Sequence, residues 1–156
     1  QVAQGNIHAY VFGEHGDTSF IPWSGAYVSG VSLDEYYETV EKMGKNVTKI
    51  DKDAMLEYVR TSGGQVIANK GATFYAVSVA VCKLVATILS SSDSVATVSS
   101  MMHGEYGIED VCLSTLTLVG PKGVQGKIPM RMTKEEVEKL KASADALKAV
   151  IAQIEH

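Results

Sequence analysis

The sequence predicts a single α+β domain in which an antiparallel sheet carries long packed helices, and three features of its 156 residues lead there. Residues 95–102 and 111–119 are β-branched runs with a turn-rich stretch at 104–107 between them, the pattern of an antiparallel hairpin. Residues 73–90 are helical in length and hydrophobic nearly all round, which predicts a central buried helix. Val137, Leu140, Ala144, Leu147, Ile151 and Ile154 recur at spacings of three and four, an apolar stripe along a long last helix. A chain of this size buries about two thirds of its unfolded surface, enough for one core.

The other elements follow in order. Residues 7–12 read as a strand ending at Gly13, and Gly13-Glu14-His15-Gly16-Asp17 as a polar turn flanked by glycines. Residues 20–31, with Pro22 and Trp23, read as irregular or partly extended. Residues 34–43 predict a short helix, with Ser32 as its cap and Gly44 closing it. A second helical pattern begins at Asp51 and meets Ser62-Gly63-Gly64. Glycines inside a helix cost roughly 1 kcal/mol each relative to alanine, so a kink, a close approach by another group or a helix end is expected there. The pattern resumes at Val66 and stops at Lys70-Gly71. After a turn at 120–123, residues 124–128 predict a third short strand. Thr133 caps the last helix, and Glu136 completes a capping box.

The bulk chemistry excludes several classes of function. A net charge of −4 provides no basic footprint for nucleic acid. Lysines near the C-terminus alternate with glutamates, as in Lys134-Glu135-Glu136, and read as a solvated helix face. The longest apolar run, residues 76–89, is broken by Ser78, Lys83 and Thr87 and is too short to span a bilayer, so no membrane partner is expected. Cys82 and Cys112 sit in apolar runs and read as buried free thiols; with no signal-peptide pattern, the cytoplasm is the expected compartment. Gln1 is not preceded by an initiator methionine and a strand pattern starts within a few residues, which suggests a piece of a longer protein.

The chemistry concentrates at residues 13–18. A histidine between two glycines at the end of a strand is an exposed, aimed imidazole, able to give or take a proton near neutral pH. A loop histidine that merely satisfies a turn is the bland alternative, and the neighbouring residues decide between them. Asn6-Ile7-His8-Ala9-Tyr10-Val11-Phe12-Gly13-Glu14-His15-Gly16-Asp17-Thr18 closely resembles the catalytic-histidine motif of the L-lactate dehydrogenase family. Lys70-Gly71-Ala72-Thr73-Phe74-Tyr75-Ala76 is similar to that family's helix start beside the substrate pocket. The order of the motifs, Val95-Ala96-Thr97-Val98-Ser99, the Gly104-Glu105-Tyr106-Gly107 turn and the long last helix extend the resemblance over nearly the whole chain.

The resemblance implies that residues 1–156 are the C-terminal substrate domain of a lactate/malate dehydrogenase. His15 would exchange a proton with the keto oxygen of a 2-oxo acid as hydride passes between C2 and a nicotinamide cofactor, NAD. Thr73 would line the substrate pocket, and Val77, one turn on, would pack towards the nicotinamide and keep water out. Asp17 would be structural. Lactate is the implied substrate; a branched 2-hydroxy acid such as L-2-hydroxyisocaproate, and malate, are the alternatives, the former because Gly63 and Gly64 would enlarge the pocket wall. His8 stands where some relatives bind an activating fructose 1,6-bisphosphate. No metal is implied, since no cysteine or carboxylate pairs with His8 and His15 at a ligand spacing.

The chain has no G-x-G-x-x-G turn after a strand, so NAD would need an N-terminal nucleotide-binding domain as partner. The resemblance also places the histidine-orienting aspartate and the carboxylate-clamping arginine upstream; Arg60 and Arg131 match neither. The isolated chain should therefore be inactive. A homo-oligomer is implied as well. A non-catalytic module whose helices merely pack into an assembly is the alternative from another class.

Overall fold

The computed structural model describes residues 2–154; Gln1, on which the expectation of a longer protein rests, lies outside the described residues with Glu155 and His156. Its elements are β1 (Ile7–His8), β2 (Tyr27–Val28), β3 (Val31–Ser32), α1 (Leu33–Lys42), α2 (Lys52–Lys70), α3 (Tyr75–Leu89), β4 (Ser94–His103), β5 (Glu109–Gly120), β6 (Gly123–Lys127) and α4 (Lys134–Ile151). Two three-stranded antiparallel sheets result, ordered β1-β2-β3 and β4-β5-β6.

The expected hairpin is the larger sheet. β4 pairs with β5 from Ser94↔Val119 to Met101↔Cys112, and a bulge follows between Met101 and His103. Alternation along β4 half-buries or buries Ala96, Val98, Ser100 and Met102 and exposes their odd-numbered neighbours. β5 is the central strand and contributes Val111, Leu113 and Leu116 to the core, which Phe12, Phe20, Met102, Ile108, Leu140 and Ala144 complete. Only the first part of the predicted stripe on α4 is buried: Leu140 and Ala144 are sealed, while Ile151 and Ile154 are exposed.

The capping chemistry is as the sequence predicts. Ser32 caps α1, and Thr133 and Glu136 form a capping box at α4; beyond the expectation, Glu35 completes a second box with Ser32. The box at α4 reaches further than a solvated helix face would. Glu136 is buried, and its carboxylate accepts from Ser24 N at 3.0 Å, Ser24 Oγ at 2.5 Å and Thr133 N at 2.8 Å. Burial pushes its pKa up, but the hydrogen bonds from Ser24 and Thr133 outweigh it and leave the carboxyl below its ordinary value.

Four expectations need correction. The strand at 7–12 is reduced to β1, because residues 9–11 leave the sheet and Phe12 instead bridges Phe20. Helix α2 runs unbroken through Ser62-Gly63-Gly64, and a Cβ on either glycine would meet no atom within 4 Å, so nothing there forces a kink. Helix α3 has no buried residue: its apolar surface exceeds what the sheet covers, and Val79, Val81 and Val85 face out. Cys82, on α3, and Cys112, on β5 opposite the exposed Met101 of β4, are free but exposed. No helix among the described residues is long and apolar enough to cross a membrane.

Candidate active site

The corner that carries His15 is built by three independent ties. First, Phe12 and Phe20 exchange both backbone hydrogen bonds, 2.8 and 3.0 Å, and close residues 13–19 into a narrow loop. Their rings are buried edge to face at 6.4 Å, so the neck of the loop is part of the core. Second, Gly13 and Ser114 exchange backbone hydrogen bonds of 3.0 and 2.9 Å, which fastens the loop to the central strand. Third, Glu14 N donates to Ser143 Oγ at 2.8 Å, which fastens it to α4. Gly13 has to be glycine: its φ of +100° disfavours a side chain, and a Cβ there would stand 2.7 Å from Ser143 Oγ.

Inside the loop, the Glu14 carboxylate accepts from Thr18 N at 3.1 Å and Thr18 Oγ1 at 2.6 Å, and Ser19 N donates to Gly16 O at 3.1 Å. From α2, Arg60 Nε donates to Ser19 O at 3.0 Å and its Nη2 shares the same acceptor. The backbone on both sides of His15 is thus held while the residue itself is exposed. Asp17, expected to be structural, is exposed and its side chain makes no hydrogen bond among the described residues; Glu14 and Thr18 do the locking.

The other predicted residues stand elsewhere. Thr73 is exposed just before α3, and Val77 lies in the first turn of α3 with 53% of its surface accessible. No hydrogen bond joins either to His15. A cavity of about 490 Å³ between α3 and β4, bordered by Tyr10, Leu84 and Val98, includes none of the three. His8 is exposed on β1, paired with Tyr27 of β2, and lies outside that cavity. Among the described residues no group of three or more His, Cys, Asp or Glu side chains could hold a metal. Ser143 and Arg60 went unnoticed in the sequence as parts of the site; Ser143 leaves a trace, a polar residue one turn past Leu140 on the apolar stripe.

The model of the lactate/malate dehydrogenase alpha/beta C-terminal domain matches residues 1–156. The chain belongs to that family. An L-lactate dehydrogenase of Acetivibrio thermocellus is 37% identical over 150 residues, covering 96% of this chain and 46% of that protein. The solved L-lactate dehydrogenase of Clostridium thermocellum superposes with a TM-score of 0.82 at 35% identity, over 97% of this chain and 48% of that one. A malate dehydrogenase of Archaeoglobus fulgidus, solved with NADH, superposes with a TM-score of 0.80 at 28% identity, over 97% of this chain and 45% of that one. The chain spans about half the length of the curated relatives it matches. Within this lactate/malate dehydrogenase domain, then, the sheet β4-β5-β6 and α4 are the frame on which the His15 corner is hung.

Proposed function

We propose that this domain is the substrate-binding half of an NAD-dependent dehydrogenase interconverting pyruvate and L-lactate, with His15 as proton donor and acceptor. The observation that supports this most is an exposed imidazole on a loop whose neck is bonded to the core at Phe12 and Gly13. Such a ring is available to a ligand and costs little to hold in place. When bound, the reduced nicotinamide supplies the hydride to C2. His15 in its charged form passes a proton to the keto oxygen, and in the opposite direction its neutral form takes the hydroxyl proton. Thr73 offers a hydroxyl to the substrate at the head of α3.

This chain's own residues fit the cofactor in part. Val77 presents an exposed apolar side chain suited to the face of a nicotinamide and to excluding water. The sequence supplies no glycine-rich turn for the pyrophosphate. An N-terminal nucleotide-binding domain would hold the dinucleotide, and would bring the carboxylate that orients His15 and the arginine that clamps the substrate. The isolated chain is then inactive, and the working protein is a cytoplasmic homo-oligomer whose contacts draw on the exposed apolar side of α3.

The test joins the chain to the nucleotide-binding half of a relative and follows NADH oxidation with pyruvate, 2-oxo-isocaproate and oxaloacetate. Turnover of pyruvate above the other two is expected, and turnover of none of them sinks the reading. His15→Asn should lower kcat by roughly 10²–10⁴-fold, the usual contribution of a positioned acid/base; a change within about threefold contradicts the assigned role.

A further inference from the structure

A serine is an unusual occupant of the apolar face of a long helix. Ser143 lies one turn past Leu140 and beside Ala144 with 0% of its surface exposed. The other buried polar residue of α4, Glu136, is engaged in capping the helix. Ser143 instead faces the histidine loop, with its Oγ 2.8 Å from Glu14 N and 2.9 Å from Thr18 Oγ1.

Counting protons sets the direction of each bond. Thr18 has one hydroxyl proton and two oxygen neighbours, Glu14 Oε1 at 2.6 Å and Ser143 Oγ at 2.9 Å. The shorter, charge-assisted contact takes it. Ser143 is then the donor to Thr18 Oγ1, while its oxygen accepts the Glu14 N–H. The bonds close on themselves: Glu14 N–H to Ser143, Ser143 to Thr18, Thr18 to the Glu14 carboxylate, with Thr18 N–H on the same carboxylate. Each donor is used once, and bonds linked head to tail polarise one another. His15 is the residue next to Glu14 within the segment this circuit closes.

We infer that Ser143 is a positioning residue for His15, acting through the Glu14–Thr18 circuit to set where the imidazole stands. The inference rests on the proposed role of His15. Ser143 is covered by the loop and acts on it from beneath, so its effect passes through the backbone of Glu14. Gly13 is consistent with this, since the loop comes so close to Ser143 that a Cβ could not fit between them. A hydroxyl that served only to fill space would have no need of both Glu14 and Thr18.

The test uses the chain joined to a nucleotide-binding half and compares Ser143→Ala, Thr18→Val and Ala144→Gly. Ser143→Ala should lower kcat for keto-acid reduction roughly 10–100-fold, the scale of an ångström of misplacement, with KM for NADH unchanged. The solvent deuterium isotope effect on kcat should rise, because proton transfer becomes the slow step, and the Glu14 amide should exchange its hydrogen at least ~10-fold faster. Thr18→Val, which breaks the circuit at a half-exposed position, should change kcat and the isotope effect in the same direction even if Ser143→Ala folds poorly. Ala144→Gly weakens the same helix without touching the circuit and should leave kcat within about twofold. The inference is overturned if both circuit variants keep wild-type kcat and isotope effect, or if Ala144→Gly reproduces their losses. Failure of the His15 reading itself would appear separately, as His15→Asn with wild-type turnover.

Discussion

The His15 corner and the α2–α3 pair meet solvent in opposite ways. At the corner a polar loop is tied to buried groups on β5 and α4, and the residues beneath it, Phe12, Phe20, Leu113 and Leu140, are almost wholly sealed. Along α2 and α3 no residue is buried, although α3 is apolar on nearly every side, and Arg60 is a rare polar tie between α2 and the loop. The corner is finished within this chain; the helices carry apolar surface that this chain does not cover. A site can therefore be rigid on one side and open on the other, and only the rigid side is set by residues 2–154.

If the comparison holds, substitutions on the two sides should differ in kind. Leu140→Ala, beneath the corner, should cost about 2–5 kcal/mol in chemical denaturation, as for other sealed leucines. Glu136→Ala should cost about 1–3 kcal/mol, since it leaves the Ser24 and Thr133 donors without their acceptor. The same carboxylate gives a pH signature. Because its folded pKa is lowered, its stabilisation is present at neutral pH and is lost as the pH falls through that lowered value. Denaturation at descending pH should show the wild type losing stability below the ordinary glutamate range, and Glu136→Gln losing less. Gly63→Ala, on the open side, should raise stability by up to about 1 kcal/mol, because the added methyl meets open space inside a helix. A loss there would place another group against α2. Val81→Ser on α3 should change stability by no more than about 0.5 kcal/mol while reducing self-association in light scattering. A cost of several kcal/mol at Val81 would mean that α3 is as sealed as the core.

What the sequence made legible follows the same division. Local chemistry was readable: Ser32 caps α1, Thr133-Lys134-Glu135-Glu136 is a capping box, and the β-branched runs of β4 and β5 pair as expected. The corner was readable as a motif, yet its support was not. Ser143 and Ser114 lie about 130 and 100 residues from the loop they hold, and no periodicity reports a hydrogen bond over that distance. Burial of α3 was misjudged because hydrophobicity reports what a helix could bury, and only its neighbours decide what it does bury. The glycines of α2 misled for a related reason. Their propensity cost is real, but it is small beside a 19-residue helix capped by Asp51 and ended by Gly71.

Amide hydrogen exchange on this chain compares the two regions in one sample. The amides of Phe12, Gly13, Glu14 and Ser114 should be among the slowest to exchange, and those of α3 should open far more readily. Equal protection of loop and helix, or a loop that exchanges at the rate of an unfolded segment, would contradict that division.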